Sequence, residues 1–81
     1  MATLPTPEEA AVAILAIFVR HFNLRPGEVL RENNFSTIWY TRGLAFGDLE
    51  SGLQHALTQG WIEIQPDGES YKLTEAGFAK A

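Results

Sequence analysis

Apolar residues recur at helical spacing over the first part of the chain. Val12, Ile14, Leu15, Ile17, Phe18, Val19 and Phe22 cover roughly 220° of a helical wheel and leave Glu9, Ala13, Ala16, Arg20 and Asn23 on a narrow wet strip. Just ahead, Thr6-Pro7-Glu8-Glu9 supplies an N-cap hydroxyl, a proline at the first helical position and a glutamate three residues after the cap. Together these signals predict a helix from about residue 7 to about residue 22, preceded by a short flexible lead over residues 1–5. An apolar arc wider than the usual stripe of about 100° is covered either centrally within one domain or partly by another chain. Val12, Ile17 and Val19 lie toward the margins of the arc and form the candidate face for a homodimer.

Arg25-Pro26-Gly27 breaks the helical period, and Glu28-Val29-Leu30-Arg31 has strand-like character. Asn33 or Asn34 can cap a second helix, in which Phe35, Ile38 and Trp39 form an inward stripe and Gly43 is the stop. Leu44-Ala45-Phe46-Gly47 then reads as a turn with Phe46 anchored in the core. Leu49, Leu53, Ala56 and Leu57 mark a third helix, capped by Asp48 and ended by Gly60, which can take the left-handed conformation. Beyond it the period falls to two. Trp61, Ile62 and Ile64 lead into Gln65-Pro66-Asp67-Gly68 and on to Tyr71 and Leu73, the pattern of a hairpin closed by a Pro-Asp-Gly turn. Thr74 to Ala81 predicts a last short helical turn with Phe78 folded back on the core. Gly52 stands inside the third helix, where glycine costs about 1 kcal/mol relative to alanine; close approach of another backbone and simple tolerance account for it equally well.

This helix-then-hairpin unit resembles the second half of a winged helix-turn-helix domain, including Leu73-Thr74-Glu75-Ala76-Gly77, which matches the L-T-x-x-G often found after the wing. The resemblance runs from about residue 7 to about residue 78. It implies an α+β fold of order helix, strand, helix, helix, strand, strand, with Val29 and Leu30 adding a strand beside the wing and residues 6–81 making one domain. In that family the third helix commonly enters the DNA major groove and the hairpin touches backbone or minor groove. These markers are architectural, and a fold does not fix a function.

Charge argues against the DNA part of that expectation. Six lysines and arginines against ten aspartates and glutamates leave a formal net charge of -4, the wrong sign for nonspecific attraction to phosphates. With 46% hydrophobic residues the chain reads as globular, and a domain of 81 residues buries only about 60% of the surface its unfolded form exposes, too little for an additional catalytic domain. The absence of cysteine excludes a disulfide framework and a thiolate zinc site. No basic region precedes the first apolar stretch, and Ala10 to Val19 is shorter than the roughly 20 apolar residues of a membrane span, so the expectation is a cytoplasmic chain with no membrane partner.

On the third helix, the face opposite the leucines carries Ser51, Gln54, His55 and Thr58, with Glu50 at one edge, and is the candidate partner or DNA face. All four side chains hydrogen-bond, and glutamine can pair bidentately with adenine. A solvated helix face is the ordinary reading, and a protein-binding face the next. The phosphate anchor is missing, since the third helix has no lysine or arginine and the wing tip Gln65-Pro66-Asp67-Gly68-Glu69 carries two carboxylates. Arg31, Arg42 and Lys72 are the candidate phosphate or acidic-partner contacts, few against the roughly 6 to 10 phosphates that tight binders often neutralise, so DNA binding would need a dimer or a larger partner. His21 and His55 fall on different helices without metal-ligand spacing, and His21, placed between Ile14 and Ile17 on the wheel, is expected to be a half-buried structural histidine. Ser51 and His55 are one turn apart but lack the oxyanion site and cleft that a nucleophile needs. No catalytic residue, metal or cofactor is assigned. The reading is a non-catalytic winged-helix interaction or regulatory module binding a protein partner, with homodimerisation as an option and a dimeric DNA-binding transcriptional regulator as the alternative.

Overall fold

Thr6 and Glu9 start the first helix reciprocally. Thr6 Oγ1 accepts from the Glu9 N–H at 3.1 Å and Glu9 Oε1 accepts from the Thr6 N–H at 2.9 Å, with Pro7 next in line where no amide hydrogen is needed. The computed structural model describes residues 6–81, so the expected lead over residues 1–5 lies outside the described residues. Helix α1 runs Pro7–Ala16 and continues as a π turn over Ile17–His21, closed by the Phe22 N–H on the Ile17 carbonyl at 3.2 Å. A wider turn delays the wheel by about a quarter of a revolution over five residues. Ile17 and Phe18 stay buried, while His21 swings out and is exposed rather than half-buried, its ring edge-on to Phe22. Asn23 at φ 55° ends the segment, a left-handed position that asparagine tolerates better than most residues.

Strand β1, Val29–Arg31, leads directly into helix α2, Glu32–Thr41. The cap is therefore Arg31 and not Asn33 or Asn34, and the first helical amide is satisfied by the sheet, with the Glu32 N–H donating to the Glu69 carbonyl at 2.7 Å. Helix α3 spans Phe46–Gln59, two residues earlier than expected, so Asp48 lies in its first turn, where its charge complements the helix dipole, instead of capping it. Phe46 is 53% exposed and stacks on Tyr40 at 6.5 Å between centroids, so it does not anchor the turn. Trp39 does that: fully buried, it donates its indole N–H to the Ala45 carbonyl at 2.8 Å. Gly60, at φ 74°, ends α3 as the sequence predicts.

Strands β2 (Ile62–Ile64) and β3 (Ser70–Leu73) form the hairpin, and the three-stranded antiparallel sheet has the order β1-β3-β2. Leu30 and Ile64 both pair with Tyr71, and Val29 and Glu63 both pair with Lys72, so the first set shares one face of the sheet and the second set the other. The helices cover the Leu30–Tyr71 face. Phe35 links the layers, its ring 5.1 Å from Phe18 and 5.7 Å edge-on from Tyr71. A short helix α4, Glu75–Lys80, follows, with Phe78 packed against the core as expected. The described residues thus make a mixed α+β fold of four helices and one small sheet. Among the described residues no helix is long and apolar enough to cross a membrane.

Helices α1 and α3 approach closely at Gly52. A Cβ there would lie 2.8 Å from the Ala10 carbonyl carbon and 2.8 Å from Ile14 Cδ1, which decides between the two explanations for this glycine in favour of close approach. At the other end, the Thr74 hydroxyl lies 2.7 Å from the Gly60 carbonyl and 2.9 Å from the Trp61 carbonyl, donating to this pair, and accepts the Gly77 N–H at 3.0 Å. One side chain thereby ties the end of α3, the start of β2 and the cap of α4.

Candidate functional site

Four of the predicted residues do come together. Ser51, Gln54, His55 and Thr58 share an open, shallow depression with Pro7 of α1. Ser51, Gln54 and Thr58 are exposed, but the Thr58 hydroxyl donates to the Gln54 carbonyl one turn back at 2.9 Å, so part of its capacity is used within the helix. His55 is half-buried and leans on Trp61 at 5.5 Å, with its Nε2 enclosed and unpartnered among the described residues. Trp61 in turn has the Lys80 ammonium 5.5 Å from its ring centroid. His55 therefore belongs as much to the packing beneath α3 as to its outer face.

The three candidate cations do not converge. Arg31 Nη2 lies 3.3 Å from Glu69 Oε2, and Lys72 Nζ lies 3.8 Å from Glu63 Oε1, so both are offset by carboxylates of the hairpin. Arg42 is exposed at the end of α2, separated in the fold from the hairpin pair. The hairpin tip is itself built from a carboxylate. Asp67 Oδ1 accepts the N–H groups of Glu69 and Ser70, each at 2.9 Å, and Oδ2 accepts the Ser70 hydroxyl at 2.8 Å. The Glu69 amide first, and the Ser70 hydroxyl after it, hold the Asp67 carboxyl below its ordinary value.

The candidate dimer face narrows. Ile17 is 0% exposed and offers nothing to a partner, while Val12 and Val19 are half-buried. Val19 lines a cleft with Leu24 and Phe78 and, like Phe78, is packed partly buried against the core.

A second cleft, absent from the sequence reading, lies between α3 and the sheet. It is lined by Glu32, Glu50, Leu53, Gln54, Leu57 and Tyr71 and has a volume of about 180 Å³. Tyr71 is 7% exposed, yet its hydroxyl hydrogen-bonds to no described residue and is not fully enclosed, so it meets only solvent in the cleft. Burial first, and the charge of Glu32 second, push the Tyr71 hydroxyl above its ordinary value. Neither Glu32 nor Glu50 forms an ion pair among the described residues. Sequence reasoning placed Glu50 at the edge of the α3 face but had no means of setting it beside Glu32 and Tyr71, which depends on β3 pairing with β1 and on α2 starting at once after β1. Among the described residues no group of three histidine, aspartate or glutamate side chains is placed to hold a metal ion. Comparison with protein-family models, with curated proteins and with solved structures finds no match for this chain.

Proposed function

We propose that this chain is a non-catalytic winged-helix module that recognises another protein through the surface between its third helix and its hairpin. The winged-helix part of the reading is supported by the element order helix, strand, helix, helix, strand, strand, short helix, and by the position of the hairpin beside α3. The choice of a protein partner rests on one observation. At the cleft between α3 and the hairpin, where a duplex would lie, Glu32 and Glu50 stand without cationic partners among the described residues, while Arg31 and Lys72 belong to the opposite face of the sheet and are offset by Glu69 and Glu63. Bringing phosphates to the cleft means like-charge contact, and the two cations of the sheet sit on its other face, so little counterion release is available to drive binding.

A dimeric DNA-binding regulator is the second reading, favoured by the exposed hydrogen-bonding residues Ser51, Gln54 and Thr58 on one face of α3. Fluorescence anisotropy with mixed duplexes separates the two. The protein reading expects no binding tighter than about 10 µM near physiological salt. A submicromolar affinity with a steep salt slope, reduced by neutralising Arg31 or Arg42, would replace it with the DNA reading. Capture from a native lysate should be insensitive to nuclease in the first case and abolished by it in the second.

A further inference from the structure

The cleft between α3 and the sheet has walls of two kinds. Leu53 and Leu57 from α3 supply apolar surface, Glu32 from the first turn of α2 and Glu50 from α3 supply carboxylates, and the largely buried Tyr71 supplies a solvent-facing hydroxyl with no hydrogen-bond partner among the described residues. A volume of about 180 Å³ falls below the roughly 300 Å³ at which small-molecule pockets begin, so the cleft is scaled to one side chain rather than to a metabolite. A half-buried carboxylate, an exposed one and a solvent-facing phenol oxygen together favour a cation that can donate several hydrogen bonds at once. Among the described residues no cation is paired there: Arg31 and Lys72 lie on the opposite face of the sheet, beside Glu69 and Glu63. Beyond the cleft, Ile64 is 51% exposed on the same sheet face as Tyr71, an apolar shelf next to the charged opening.

We propose that this cleft receives an arginine side chain from a partner protein, flanked by an apolar residue that rests on Ile64. The occupant follows from charge and shape. Arginine lays an apolar stem along Leu53 and Leu57, and its planar head offers five N–H donors to acceptors contributed by three different elements. Lysine has the charge but not the fork, and a nucleic acid backbone has the wrong charge. The inference rests on the protein-partner reading above and specifies what that partner presents.

The test uses the full chain, labelled with nitrogen-15, and the peptide acetyl-Leu-Arg-Leu-amide as probe, with its citrulline, lysine and glutamate counterparts. The arginine peptide should shift the amides of Glu32, Glu50, Leu53, Leu57 and Tyr71. Citrulline, which keeps the shape and loses the charge, should bind about tenfold more weakly, and added salt should weaken the arginine peptide but not the citrulline one. Glu32→Gln/Glu50→Gln should abolish the preference for arginine over citrulline, and Tyr71→Phe should weaken arginine binding by a few-fold while leaving the fold intact. Equal binding of citrulline or lysine, shifts confined to other amides, or no shift at about 10 mM peptide would overturn the proposal. Concentration-dependent shifts of the same amides without peptide would also overturn it, by making a second copy of this chain the occupant. Duplex DNA titrated in parallel keeps the two conclusions apart. Tight duplex binding removes the protein-partner reading itself, whereas failure of the peptide with no duplex binding removes only the arginine.

Discussion

Replacing a hydrogen of Gly52 with a methyl group sets a carbon within 3 Å of both the Ala10 backbone and the Ile14 side chain, at the seam where α1 and α3 meet. Helix propensity alone would favour alanine by about 1 kcal/mol, but the clash involves backbone, which cannot rotate away. The expected outcome of Gly52→Ala is a net loss of about 1 to 3 kcal/mol in urea melts. Gly47, in the first turn of the same helix, has open space around it, so Gly47→Ala should be neutral or slightly stabilising and serves as the matched comparison. Asp67 gives a second prediction at this scale. Its carboxylate bonds two amides and one hydroxyl at the hairpin tip, and its folded pKa is held below the ordinary value, so it stabilises the fold above the unfolded carboxylate range near about 3.9. That contribution disappears as the pH falls through the depressed folded value. Asp67→Ala should therefore be less stable than the parent near neutrality, and the difference should shrink on acidification below about pH 4, as denaturation across a pH series would record.

Whole elements follow the same physical terms with different weights. Leu53 is buried under α3, whereas Leu57, its neighbour on the helical wheel, is half-buried at the cleft. Leu53→Ala should cost about 2 to 5 kcal/mol and Leu57→Ala about half as much, measured by the same melts; equal costs would mean that the cleft is closed in solution. Most element positions were legible because their causes are local: the Thr6 to Glu9 capping box, the Gly60 stop, the Pro66-Asp67-Gly68 turn, the change of period at Trp61. The misplaced features have causes that the periodic pattern does not show. Asn33 and Asn34 lost the cap of α2 to a carbonyl at Glu69, thirty-seven residues from the amide of Glu32. Phe46 lost its core position to Trp39, whose indole reaches the Ala45 carbonyl. His21 left the core because the π turn altered the wheel on which its position was read. For the site, the α3 face was readable from spacing, while the cleft beside it required strand register, which no local pattern carries.

For the molecule as a whole, the apolar arc of α1 is mostly spent internally. Ile17 is enclosed, and Val12 and Val19 are half-buried, the latter beside Phe78. Two half-buried valines leave α1 little apolar surface, against the roughly 800 Å² per partner that a stable interface buries, so α1 is not expected to hold a dimer at micromolar concentration, and Val12→Glu should leave the sedimenting mass unchanged. A dimer split by Val12→Glu would reinstate the helix as an interface and with it the easiest route to a larger positive surface. The strand order holds one more consequence, for the direction in which the chain is made. Strand β3 alone touches both of the others, yet it is the last of the three to be synthesised. Until residues 70–73 have left the ribosome, β1 and β2 have no strand to pair with and Phe35 lacks Tyr71. Nascent chains cut short before Ser70 should be digested by protease at the rate of an unfolded polypeptide, however long they are given to fold, and resistance should appear as a step once β3 has emerged.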